Sequence, residues 1–252
     1  MTNTKRLLVM LACLMICATL QAQKKELLIS YNQQVKMFNP MTQDSSYFGS
    51  IIEVLTKEKE IFTRRVMHMN GYKYINGMKI PQNDTLYTYQ VKINLAKAEL
   101  LQSIFNKELL LKEPLNLFEW KLSGETKRIL GYLCNKATCS FRGRSYEAYF
   151  TRDIPFKAAP WKFHGLPGVV LEVYSSDDYC RWMAQSIKIA PFKTKIDFEW
   201  HKTETIELAE YIKWRKVQKQ RAKEFLEKGR LQFGDQVYYQ SAEPPIEIFD
   251  LD

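Results

Sequence analysis

Short segments of alternating polar and apolar residues follow one another from Leu27 to Ile189, with turn signals between them and no regular helical pattern dividing them. Strands joined by short turns pair antiparallel, because a parallel pair needs a long crossover between its members. Residues 26–38 alternate as a first strand, and 47–55 and 59–67 as two more, joined by the polar Thr56-Lys57-Glu58. Asn76-Gly77 is a hairpin signal, and Tyr87 to Ile93 reads as the next strand. Residues 95–112 are ambiguous. Ala96, Leu100, Leu101 and Ile104 fit a helical stripe, whereas Asn106-Lys107 suits a hairpin, and strands are slightly favoured. Residues 115–123, 128–141 and 144–152 form a meander turning at Arg142-Gly143-Arg144, with Ile129, Leu133, Ala137, Cys139 and Phe141 on one apolar face. Residues 179–190 complete the strand pattern.

One helix is expected, from about Thr205 to Lys228, with Thr205 as N-cap and Gly229 as stop. Tyr211, Trp214, Val217 and Phe225 supply a narrow apolar stripe, and basic residues crowd its C-terminal half. The fold expected is mainly β within an α+β class: a curved antiparallel sheet or partly open barrel, with one C-terminal helix at its mouth or edge. Residues 23–252 form one domain with a loose tail after Gln240, since no linker or repeat divides them.

The segment from Asp153 to Val173 is dense in turn formers and opens into an apolar run. Leu166, preceding a proline, is pushed towards an extended conformation. Pro167 suits the second position of a type II turn, and Gly168 the positive φ of the third. Gly165 lets the backbone pass close to other groups. Val169, Val170, Leu171 and Val173 then suit a strand covered on both faces or central in a curved sheet. Two accounts of the loop stay open: a structural turn built on Gly165, Pro167 and Gly168, or a ligand-contacting lip around Trp161 and His164. Arg142, Arg144 and Arg152 cluster around one hairpin, either as solvated turn charge or as a fork for a carboxylate or phosphate.

This segment carries a resemblance. Gly165-Leu166-Pro167-Gly168-Val169-Val170 is similar to the hexapeptide that names the GLPGLI family, exported Bacteroidetes proteins of unknown function. Trp120-Lys121-Leu122, Thr126-Lys127, Gly131-Tyr132, Lys136-Ala137-Thr138, Gly143-Arg144 and Asp153-Ile154-Pro155 precede it in the same order. The resemblance covers roughly residues 118–175. Val169-Val170 replaces Leu-Ile, Ala159-Pro160 replaces Gly-Pro, and Ala148-Tyr149 replaces Ala-Trp, all packing-conservative changes. It implies location and architecture, and no catalytic residues.

Residues 1–22 read as a secretory signal peptide: Lys5 and Arg6, then the apolar Leu7 to Leu20, then a cleavage position at Ala22. A lipoprotein signal ending at Cys13 is the alternative. The protein is expected to be exported, to the periplasm or the outer-membrane surface or beyond. The chain carries a net charge of +9, and removal of Lys5 and Arg6 with the signal leaves +7. Nucleic acid is not expected as a partner of an exported protein. Peripheral contact with an anionic surface is the most that the basic helix suggests. Cys134, Cys139 and Cys180 remain after cleavage. They are either free and buried, or Cys180 pairs with one of the other two.

No sequence motif for a cofactor or nucleophile is present. His68, His164 and His201 lack ligand spacing, so no metal is expected. The leading expectation is a non-enzymatic binding or envelope-accessory protein, holding an outer-membrane component or a hydrophobic ligand in the sheet's concavity. The alternative is an uncharacterised enzyme, in the manner of a hydrolase, with a site near Cys134, Asp153 and His164.

Overall fold

A computed structural model describes residues 25–39, 44–75, 78–104, 109–191 and 204–233. The signal segment, Asn76-Gly77, Asn106-Lys107, His201 and the tail after Gln240 lie outside the described residues.

Among the described residues one open sheet of twelve strands runs in the order β12-β6-β5-β4-β3-β2-β1-β11-β10-β9-β8-β7. Its strands are β1 (Glu26–Asn39), β2 (Asp44–Lys57), β3 (Glu60–Ile75), β4 (Met78–Asn94), β5 (Glu99–Ile104) and β6 (Leu109–Pro114), then β7 (Lys121–Ile129), β8 (Tyr132–Phe141), β9 (Arg144–Thr151), β10 (Val169–Ser175), β11 (Cys180–Ala190) and β12 (Glu204–Glu207). One helix, α1 (Leu208–Phe233), follows β12. The mainly β sheet with its C-terminal helix is therefore as expected, and within the ambiguous stretch Glu99–Ile104 and Leu109–Pro114 are strands. Several sequential strands, β2–β3, β4–β5, β7–β8 and β8–β9 among them, pair through short turns. Leu130-Gly131 and Arg142-Gly143 both place two successive residues at positive φ, the geometry whose twist matches that of a two-residue hairpin. The β1–β11 pairing closes the sheet's centre, with Ile29 opposite Ile187 and Gln33 opposite Trp182.

Alternation decides which face is buried. On β1, Leu27, Ile29, Tyr31 and Val35 are buried; Ile52 and Val54 of β2, Val91 and Ile93 of β4, and Trp182 and Ala184 of β11 join the same cluster. Leu133 has the parity of this face on β8, but it stands near the hairpin tip beyond the sheltered region and is exposed.

The C-terminal elements depart from expectation. Thr205 and Glu207, read as a helix cap and first turn, belong to β12, which pairs parallel with β6. The β-branched Thr205 and Ile206 suit a strand, and the open β6 edge supplies the backbone partners that a cap would have given. The helix lies at this edge. Tyr211 and Trp214 pack on Leu111, with Ile206 and Leu208 beside them, whereas Val217, expected to face inward, is exposed. The side chain of Phe225 lies outside what is described. Among the described residues no helix is long and apolar enough to cross a membrane.

The loop between β9 and β10 fills part of the inner face. Trp161 lies parallel to Trp182 at 6.1 Å between ring centroids. Phe163 meets Tyr146 at 4.9 Å and Trp182 at 5.0 Å, both edge-on. Ala158 turns back to bridge Val169, and the Val170 N–H donates to the Ala158 carbonyl at 2.8 Å. The inner face is thus occupied here by the protein's own aromatic side chains.

Gly168 is required for a different reason from the one its position after Pro167 suggests. Positive φ falls at Gly165, at 104°, and not at Gly168. A Cβ on Gly168 would instead come within 2.1 Å of the Thr151 carbonyl oxygen, a backbone atom with little freedom to move. Gly168→Ala is expected to cost about 1–3 kcal/mol by overpacking. A thermal melt matching the parent would mean that the loop shifts without cost.

Candidate functional site

Two turns, the loop between β9 and β10, and the start of β1 meet at one rim of the sheet. Register brings them together: Leu27 of β1 opposes Thr56 of β2, Lys57 opposes Glu60 of β3, and Glu60 opposes Asn94 of β4. The segment after β9 and the start of β10 complete the ring. Between them lies a cleft of about 1190 Å3, lined by Lys25, Lys57 to Glu60, Asn94 to Ala96, Arg152, Ile154 to Lys157, Pro167 and Gly168. A smaller space of about 110 Å3 adjoins it, sharing Leu95, Lys157 and Gly168 and lined further in by Ile61, Phe163 and His164.

The cleft combines an apolar floor with a charged rim. Ile154 is buried and Leu95 and Phe156 half-buried, while Lys25, Lys59, Arg152 and Lys157 are exposed. Lys57 pairs with Glu26 at 3.3 Å, and Glu60 with Lys92 at 2.9 Å. Among the described residues no carboxylate pairs with Lys25, Lys59, Arg152 or Lys157. The Thr56 hydroxyl, buried in the wall, has no protein hydrogen-bond partner among them either.

The residues singled out from sequence are placed apart. Trp161 is buried in the aromatic cluster, with a positive φ of 52°. His164 is also buried: Nδ1 lies 2.6 Å from the Lys162 carbonyl, and Nε2 contacts the Leu115 carbonyl. Burial holds its imidazole below the ordinary range, against the opposing pull of those two carbonyls. The Trp120 indole N–H donates to the His164 carbonyl at 2.9 Å and pins the loop from outside. Arg142 reaches Glu113, and Arg144 reaches Asp177 at 3.1 Å while lying over the Tyr179 ring. Of the three arginines, Arg152 lines the cleft. Gly165 holds the left-handed turn, and Pro167 and Gly168 form one side of the cleft.

Cys134, Asp153 and His164 do not assemble as a nucleophile and base. No hydrogen bond links them among the described residues, and the Cys134 thiol contacts the Tyr132 carbonyl instead, at 3.6 Å. Burial pushes the Cys134 thiol up to about 11 and the Cys139 and Cys180 thiols up to about 12. All three cysteines are free and buried. Thiolate is the reactive form, so none is expected to react with a thiol-specific disulfide reagent in native protein at neutral pH, while all three react after denaturation. Rapid native labelling would mean the cysteines are exposed by opening of the sheet. Among the described residues no group of three His, Cys, Asp or Glu side chains converges to hold a metal ion.

Sequence reading missed most of the cleft. Lys25, the β2–β3 turn with Thr56 and Lys59, and Lys157 are far apart in the chain, and strand pairing brings the first two together.

Residues 50–216 match the family described as N-glycanase peptide, N-terminal domain. No curated protein matches the chain. Two solved structures of PNGF-II resemble it. One, in space group P21, is 20% identical with a TM-score of 0.51, covering 74% of this chain and 32% of that one. The other, in space group C2, is 20% identical with a TM-score of 0.50, covering 73% and 31%. The likeness shows a shared fold, and the chain spans about a third of the length of PNGF-II. These matches overturn the resemblance to the GLPGLI family. The hexapeptide is a local device in which Gly165 turns the chain and Gly168 makes room for Thr151, and a backbone need of this kind does not mark one family.

Proposed function

The chain belongs to the family of the N-glycanase peptide, N-terminal domain, and from that membership we propose that it takes part in enzymatic removal of N-linked glycans from glycoproteins. This replaces the expectation of a non-enzymatic protein holding a hydrophobic ligand in its concavity, where Trp161 and Phe163 lie instead. The family match over residues 50–216 is the observation that carries the reading. The cleft at the sheet rim fits the glycan-facing part of such an enzyme. Sugars present both C–H faces and hydroxyls, and the cleft offers Pro155, Phe156 and Pro167 beside Asn94 and the Thr56 hydroxyl. A ligand site of this kind pairs an apolar lining with a few placed polar groups.

The test compares one glycoprotein before and after enzymatic removal of its N-glycans, by titration against the full chain. The glycosylated form is expected to bind and the stripped form to lose that binding. Equal binding of the two forms overturns the reading. Free glycan appearing in the mixture, measured by mass spectrometry, extends it to the chemistry itself.

A further inference from the structure

We infer that the rim cleft recognises an acidic glycan, taking the anionic substituent of a sugar between Arg152 and Lys157 on one side and Lys25 and Lys59 on the other. The inference rests on the glycan reading above and names the class of glycan.

Lys57 is neutralised by Glu26, and Glu60 is held by Lys92 and by the Asn94 amide at 3.2 Å. The remaining four cations around the opening have no carboxylate partner among the described residues, yet all of them line one cavity, where five cations, Lys57 included, stand against the two carboxylates Glu58 and Glu60. Several cations elsewhere in the sheet are matched, Lys127 with Glu172 at 2.7 Å, Lys136 with Glu147 at 2.8 Å and Arg144 with Asp177 at 3.1 Å, and what sets the rim apart is that its unmatched cations share one cavity. Concentrating unpaired positive charge in a walled cleft raises the local concentration of anions. Arg152 offers a planar fork that matches carboxylate, sulfate and phosphate alike. Lys157 and Lys59 add point charges on flexible stems. The Thr56 hydroxyl, buried in the wall without a protein partner, supplies the neutral hydrogen bond that a sugar hydroxyl would complete. Burying such a group unpaired costs free energy, so a ligand that satisfies it gains. The combination distinguishes an acidic sugar from a simple inorganic anion, which would use the cations alone.

The experiment titrates the full chain with four fluorescent probes: a sialylated N-glycan, the same glycan desialylated, a sulfated N-glycan and polyglutamate. Titrations are run at low salt, about 20 mM NaCl, and at about 500 mM, where charges more than a few ångströms apart are screened. The acidic glycans are expected to bind about five- to tenfold more tightly than the neutral one at low salt, the size of one or two charge contacts. Arg152→Gln with Lys157→Gln is expected to erase that preference while leaving the melting temperature unchanged, since both side chains are exposed. A preference for the sialylated probe identifies a carboxylate ligand, and for the sulfated probe a sulfate ligand. Equal binding of neutral and acidic glycans overturns the inference and leaves the glycan reading intact. Failure of every glycan to bind overturns both. Polyglutamate binding as tightly as the acidic glycans overturns the sugar part, because charge alone would then suffice.

Discussion

Glu113→Ala is expected to destabilise the protein by about 3–5 kcal/mol, the cost of leaving a buried charge without its counter-charge. Glu113 sits at the end of β6, and its side chain, like that of Lys162, has no exposure. It contacts Lys162 of the inner loop and Arg142 of the β8–β9 turn. β6 lies second from one edge of the sheet and β8 second from the other. One carboxylate therefore ties the two flanks of a curled sheet to the loop between them. Without it, the Lys162 ammonium stays in the core without the carboxylate that offsets its desolvation. The measurement is chemical denaturation of parent and variant. A double replacement, Glu113→Leu with Lys162→Met, is expected to recover part of the loss, because an apolar pair of similar volume removes the desolvation cost of those two groups while the Arg142 contact stays lost. If Glu113→Ala unfolds at the parent midpoint, the contact is incidental to the curl.

Much of the fold is legible in the sequence because it is local. Alternation gives the buried faces of β1, β2 and β11, and Arg142-Gly143 marks a hairpin turn by the φ values it must adopt. What is not legible is set by contacts distant in sequence. Glu113 and Lys162 are 49 residues apart, and nothing near either one signals that a lysine between Trp161 and Phe163 will be buried. β12 reads as the beginning of a helix because its strand character depends on the free β6 edge. The cleft fails to appear for the same reason: its cations come from the start of β1, the β2–β3 turn and the β9–β10 loop, each an ordinary solvated segment when read alone. Arg152 reads as part of a basic hairpin, but its companions in the cleft are Lys157 of its own loop and Lys25 and Lys59 of other segments, rather than Arg142 and Arg144, which reach Glu113 and Asp177. His164 and Trp161 stood out as polar and aromatic residues in a loop. The hydrogen bonds and ring contacts that bury them are tertiary.

Trp161→Ala decides between the two accounts of that loop. The indole is 2% exposed and stacks on Trp182 with an interplanar angle of 9°, with Phe163 edge-on at 4.9 Å and Phe141 at 6.1 Å. Truncating a buried aromatic of this size is expected to cost about 3–5 kcal/mol, through lost transfer free energy and the cavity left behind. For a domain of this length the melting temperature should fall by roughly 6–20 °C. The left-handed backbone at Trp161, φ 52°, persists because the surrounding packing holds the ring in place. Trp161→Gly therefore relieves the backbone while removing the same ring, and it is expected to be slightly less destabilising than Trp161→Ala. That order would mark the loop as a structural plug whose conformation is strained to seat one side chain. The melts are made without any glycan. Loss of glycan binding with an unchanged melting temperature would instead make Trp161 a ligand contact, and would require the loop to leave the inner face to bind.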